Sequence, residues 1–190
     1  SPRSRRRVFF QVIAMYIVLG RFQPFHKGHA YLIEEALKLG PTTIAIGSSE
    51  AEMSSDNPRS AAEREEMITS WLDGRDAKIV KIPDINDPPN WVQHATSFHG
   101  LGTLVTSDLG TKNLYESAGF EVVWVDLNDR ENYEGWRVRT TLKMLSTVHE
   151  VDAKSQIMMV TIPEQVTNWL IENDALHRLY SMSKDVEHVG

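Results

Sequence analysis

Four side chains able to hold an anion fall within nine consecutive residues: Arg21, His26, Lys27 and His29. Gly20, Pro24 and Gly28 are set among them. Two imidazoles three apart share one face once the chain is helical. A helix N-terminus adds free N–H groups and a partial positive charge, which favour phosphate. Imidazole donors there can follow charge as it develops on phosphate oxygens, with Arg21 and Lys27 adding full positive charge beside them. The bland alternative is an ordinary surface turn with two histidines. The density of donors and of shape-setting residues weighs against it.

A strand, a turn and a helix must carry these residues. Tyr16 to Leu19 is a continuous apolar run, suited to a strand covered on both faces. Gly20 closes it without a side chain, so that a ligand can approach the backbone, and Pro24 sets a rigid, non-helical step. Ala30 to Leu39 then carries Leu32, Ile33, Ala36 and Leu37 at helical spacing, and Gly40-Pro41 stops it. Thr42 to Ile46 predicts a second strand, ending at Gly47-Ser48-Ser49. A glycine and hydroxyls there suit a ligand at the carboxyl edge of a parallel sheet, though alone they read as a plain turn.

Ser60 and Glu63 form a capping box for a helix through Leu72, whose apolar face is Met67, Ile68, Trp71 and Leu72. Ala77 to Ile82 predicts a third strand. It leads into a stiff loop from Pro83 through Asp84 to Trp91. Trp91 opens a helix with Val92 and Ala95. Its ring can stack on a flat ligand or anchor the helix to the core, and the pattern alone favours the anchor. Leu101 to Thr106 and Glu121 to Val125 are the fourth and fifth strands, with a helix from Asn113 to Ala118 between them. After a polar loop carrying Arg130, Gly135 to Leu142 opens another helix bearing Arg137 and Arg139, which by themselves read as a solvated face. Helical stretches near Pro163 to Glu172 and Ala175 to Lys184 close the chain.

This alternation predicts an α/β fold: a doubly wound, mostly parallel five-stranded sheet with helices on both faces and C-terminal helices from about 155. The candidate phosphate residues follow strands one, two and four, where such sheets bind ligands.

The chain has 190 residues with a formal charge of −6, and 41% of its residues are apolar. That fits a single domain over 15–190, with 1–14 an N-terminal extension or tag. Residues 1–14 hold Arg3, Arg5, Arg6 and Arg7 and no acid, so setting those four charges aside leaves −10 for the remainder. An acidic body argues against nucleic acid as a partner. With no cysteine there is no thiol nucleophile, disulfide framework or Cys-based metal site, in keeping with a cytoplasmic location. Gln11 interrupts the apolar part of the first residues, which argues against a signal peptide, and no run is long enough to cross a membrane.

His26-Lys27-Gly28-His29 fits the H-x-G-H signature of the nucleotidylyltransferase superfamily, and the string from Gly20 to His26 resembles the archaeal-type nicotinamide-nucleotide adenylyltransferases. Asn57 to Arg64 resembles that family's N-P-x-T-A-x-E-R segment, and Arg139, aligned on Gly135 and Val138, matches the arginine of its second motif. Glu134 and Trp136 depart from the hydroxyl residues expected beside that arginine, and Asp108 stands where relatives often carry asparagine.

The resemblance implies a Rossmann-like nucleotidylyltransferase fold and transfer of the AMP moiety of ATP to nicotinamide mononucleotide, giving NAD and pyrophosphate. It implies His26, His29, Arg21 and Arg139 as the catalytic set. Gly20, Phe22, Lys27 and Asp108 join them around ATP, and Gly47, Ser48, Arg64, Asp84 and Trp91 serve the acceptor nucleotide. For Arg64 a salt bridge on the helix surface is an equal alternative. Magnesium is expected to arrive with ATP, held by phosphates and water rather than by a protein metal site. Relatives of this type form hexamers, so a homo-oligomer is expected. Another acceptor (nicotinate mononucleotide, phosphopantetheine or FMN), or a sensor that binds nucleotide without turnover, are the competing readings.

Overall fold

The computed structural model describes residues 14–54, 57–127, 133–173 and 182. Five strands, β1 (Tyr16–Gly20), β2 (Thr42–Ile46), β3 (Lys78–Lys81), β4 (Thr103–Thr106) and β5 (Val122–Trp124), form one parallel sheet in the order β3-β2-β1-β4-β5. The helices are α1 (Lys27–Leu39), α2 (Ala61–Leu72), α3 (Trp91–His99), α4 (Leu109–Ser117), α5 (Gly135–Leu145), α6 (Val151–Met158) and α7 (Glu164–Glu172). The doubly wound parallel sheet expected from the sequence is present.

Strand alternation sorts the core into two layers. Val18, Ile44, Ile46 and Val105 pack with α1, α2, α5 and α7 on one face, through Ile33, Met67, Leu142 and Leu170 among others. Ile17 and Leu104 pack with Val92 of α3 and Tyr115 of α4 on the opposite face, while Ala45 meets Ile82 and Ala95. All five residues of β2 are buried, as a strand covered on both faces requires.

From β1 the chain winds outward through β2 to β3, then returns across the sheet to β4 on the other side of β1. The direction of winding therefore reverses between β1 and β4, and a crevice opens beyond their carboxyl ends.

Several boundaries differ from the sequence expectation. α4 starts at Leu109 rather than Asn113, because the Asp108 carboxylate caps it by accepting from the Thr111 amide (2.8 Å) and hydroxyl (2.7 Å). α6 lies between α5 and α7 and has little sequence signal, since Met158 is its single buried residue. The helix expected over Ala175 to Lys184, the Arg130 loop position and residues 1–13 lie outside the described residues.

Candidate active site

The crevice at the β1/β4 reversal has a volume of about 470 Å³. Arg21, Phe22, Gln23, His26, Gly28 and His29 line it from the β1–α1 turn. Thr106, Ser107 and Asp108 line it from β4, and Tyr133, Glu134, Trp136 and Arg139 from the start of α5. Segments more than 100 residues apart thus meet at one place, with the Arg139 Nη1 donating to the Gln23 carbonyl at 3.0 Å.

The two histidines are held by backbone. His26 is the N-cap of α1: its Nδ1 accepts from the Gly28 amide (3.1 Å) and the His29 amide (3.4 Å). His29 reaches back, its Nδ1 accepting from the His26 amide at 3.2 Å. The pair is a capping box built from imidazoles. A ring nitrogen that accepts carries no proton, so in each neutral ring the proton is assigned to Nε2. Each histidine therefore keeps one N–H donor for a ligand.

Both rings stay neutral near pH 7. Burial, then the Arg139 charge, lowers the His26 pKa to about 4, in line with its 5% exposure. Burial, then His26, holds His29 well below the ordinary value. The rings stack 3.6 Å apart at 20°, so two cations there would repel strongly. Gly28 makes the stack possible: a Cβ on it would meet the His26 ring and the Tyr133 Cβ at 2.9 Å.

Arg64 is turned to backbone carbonyls rather than to a surface salt bridge. It is fully buried, and its guanidinium donates to the carbonyls of Gly47 (2.7 Å), Ser48 (2.9 Å), Arg21 (3.0 Å) and Ser60 (3.3 Å). It ties together the turns that follow β1 and β2. Burial and the neighbouring Arg21 lower its pKa to about 10, against a raising contribution from Asp84.

The other expected residues divide. Arg21 and Asp108 line the crevice, and Asp108 also caps α4 through one carboxylate oxygen, Oδ2. Phe22 has a positive φ of 54°, and its buried ring packs edge-on against His29, so it supports the histidines from below. A Cβ on Gly20 would meet that ring at 2.9 Å. Lys27 lines a neighbouring cavity with Tyr31, Trp71 and Pro163 instead of the crevice. Gly47, Ser48, Asp84 and Trp91 follow β2 and β3, outside the crevice lining. Trp91 is half-buried near Leu19 and lies edge-on to Tyr115, 6.4 Å between ring centroids, the anchoring role that pattern favours.

Gln23 was not among the expected site residues. Its buried side-chain amide donates to the Arg59 carbonyl (3.0 Å) and accepts from the Arg59 amide (3.2 Å), with a further bond to the Asn57 side chain. That lashes the β1–α1 turn to the entry of α2. Its burial is visible only in the structure. Among the described residues no group of three histidines or acids comes together to hold a metal, and no helix is long and apolar enough to cross a membrane.

A parallel sheet with its ligand crevice at the reversal of winding, and with paired imidazole donors at a helix N-terminus, defines a nucleotide-binding α/β protein of the phosphate-handling kind. Residues 17–160 match the cytidylyltransferase-like family model, and the chain belongs to that family. It is 31% identical over 175 residues to a nicotinamide-nucleotide adenylyltransferase of Archaeoglobus fulgidus, covering 87% of this chain and 95% of that one. It is 29% identical to the protein of that name from Picrophilus torridus, covering 90% and 98%. Among solved structures it resembles a bifunctional NMN adenylyltransferase/ADP ribose pyrophosphatase from Francisella tularensis, with a TM-score of 0.69 at 20% identity. That likeness covers 93% of this chain and about half (55%) of the other, and it concerns the fold.

Proposed function

We propose that the chain transfers the AMP moiety of ATP to nicotinamide mononucleotide. One observation carries the reading: two neutral imidazoles, each with a free Nε2–H, lie side by side with Arg139 in the crevice between the β1 and β4 ends. The adenylyltransferase names of the archaeal relatives support the choice of substrates.

A 5′-phosphate oxygen of the acceptor attacks the α-phosphorus of ATP. The new P–O bond forms as the bond to the β-phosphate oxygen breaks, and pyrophosphate departs with the electron pair. The nucleophile is already an anion, so the protein supplies position and charge stabilisation rather than a covalent intermediate. His26 and His29 donate to the α-phosphate oxygens. Arg21 and Arg139 face the outer phosphates. Asp108 and the β4 end lie on the ATP side, whereas Gly47, Ser48, Asp84 and Trp91, after β2 and β3, lie on the acceptor side. Magnesium comes in with ATP, ligated by phosphates and water; Asp108 and Glu134 are the carboxylates that line the crevice. A cytoplasmic homo-oligomer is the expected context, to be read by light scattering.

Pyrophosphate release measured across candidate acceptors tests the assignment. Turnover with nicotinamide mononucleotide should exceed that with nicotinate mononucleotide, phosphopantetheine or FMN. His29→Ala should lower kcat about 100-fold, the scale for losing one donor to transition-state charge. ATP binding without any pyrophosphate release would establish a sensor instead.

A further inference from the structure

Trp136 is 56% exposed, yet it is fixed on two sides. Its indole N–H donates to the Glu134 carboxylate at 2.6 Å. The Arg137 guanidinium lies over its ring, 4.9 Å from the centroid, and pairs with the same carboxylate at 3.6 Å. Trp136 lines the crevice and also a second cavity, where its neighbours are Arg137, Val138 and Thr161. Arg137 lines the second cavity but not the crevice. The Arg137 cation thus lies against the indole on the side of the second cavity's lining, while Trp136 also borders the crevice.

An exposed aromatic surface gains free energy when a ligand covers it. At the crevice wall, a bound ligand is placed to supply that cover. The phosphates are drawn to His26, His29 and Arg139, and the Trp136 face flanks that same crevice. A nucleoside triphosphate seated on the histidines presents its base as the flat, apolar end.

We propose that Trp136 is a stacking wall for the base of the nucleoside triphosphate, with Glu134 and Arg137 as the residues that position it. This rests on the adenylyl-transfer reading and deepens it. At the motif position where a hydroxyl was expected, this chain substitutes base contact for a phosphate donor. Stacking has no donor and acceptor code, so the wall favours large ring systems: purine triphosphates over pyrimidine ones.

The test is calorimetry on the full chain with ATP, CTP and inorganic tripolyphosphate, comparing wild type, Trp136→Ala and Trp136→Phe. Trp136→Ala should weaken ATP about 5- to 100-fold, the range for removing one aromatic stacking partner. It should reduce the preference for ATP over CTP and leave tripolyphosphate binding unchanged. Trp136→Phe should keep most of the affinity. Equal ATP affinity in wild type and Trp136→Ala overturns the proposal. So does an equal fall for ATP and tripolyphosphate, which would mark a structural role. A change in oligomeric mass with ATP binding unchanged would assign the indole to a subunit contact and overturn it too. Wild type that binds no ATP would instead overturn the adenylyl-transfer reading itself.

Discussion

The imidazole capping box links catalysis to stability, and the link can be measured as a pH dependence. His26 accepts two backbone N–H bonds through Nδ1, and protonating that nitrogen destroys both. Its pKa falls from 6.5 to about 4 on folding. The folded value is depressed, so the contribution is complete above the unfolded value, shrinks as pH falls, and is gone below the folded one. At about 1.4 kcal/mol per pH unit, the full swing is about 3 kcal/mol, with about 2 kcal/mol of it spent by pH 5. His26→Asn removes this contribution, since asparagine is a good helix cap that does not titrate, and it also relieves the smaller part of the His29 depression that His26 causes.

Urea unfolding of both proteins at pH 7.5 and pH 5 gives the comparison. The variant should be the less stable at pH 7.5, because the buried ring and its stack on His29 are lost. The gap should narrow by about 2 kcal/mol at pH 5 as wild type loses its neutral cap. Carboxylates elsewhere titrate equally in both proteins and cancel. A gap that is the same at the two pH values would refute the neutral, Nδ1-accepting assignment of His26 and with it the Nε2–H donor offered to phosphate.

Arg64→Leu should cost about 3 kcal/mol or more by urea midpoint, because the carbonyls of Arg21, Gly47 and Ser48 lose their donor in a site closed to water. Arg64→Lys should not restore it, since an ammonium cannot span the carbonyls that the planar fork reaches. Asp108→Ala should cost about 1 kcal/mol through loss of the α4 cap, whereas Asp108→Asn should retain nearly all stability; thermal melts distinguish the two.

Local signals in the sequence were enough for much of the fold. The strand Thr42 to Ile46 and the Ser60–Glu63 capping box depend on neighbours within a few residues, and both stand as expected. The role of Arg64 was not legible, because the carbonyls of Ser48, Gly47 and Arg21 are 16, 17 and 43 residues away. Gln23 escaped notice for the same reason, its partner Arg59 being 36 residues on. Lys27 lines the neighbouring cavity although it stands next to His26 in sequence. Adjacent residues on a helix point to different faces, so the turn that aims His26 and His29 into the crevice sends Lys27 elsewhere. The support that Phe22 gives His29 was not legible, because the left-handed backbone that sets its ring beside Gly20 leaves no pattern in side-chain type.

The changed residues at the start of α5 pose the sharper question of why Arg139 stays on target without a capping hydroxyl. Glu134, the N-cap, makes no side-chain bond to the backbone N–H groups of the helix, a loss of about 0.5–2 kcal/mol. Two other attachments fix the helix. Val138, Leu142 and Leu145 bury its inner face in the main core, and Arg139 is bonded to the Gln23 carbonyl. Gln23 is itself clamped to Arg59, so the crevice arginine is referenced to the β1–α1 turn and the α2 entry rather than to its own helix terminus. The helix start is thereby released from capping. Glu134 is left to hold the Trp136 indole, and a position that would otherwise donate to phosphate becomes available to select the base.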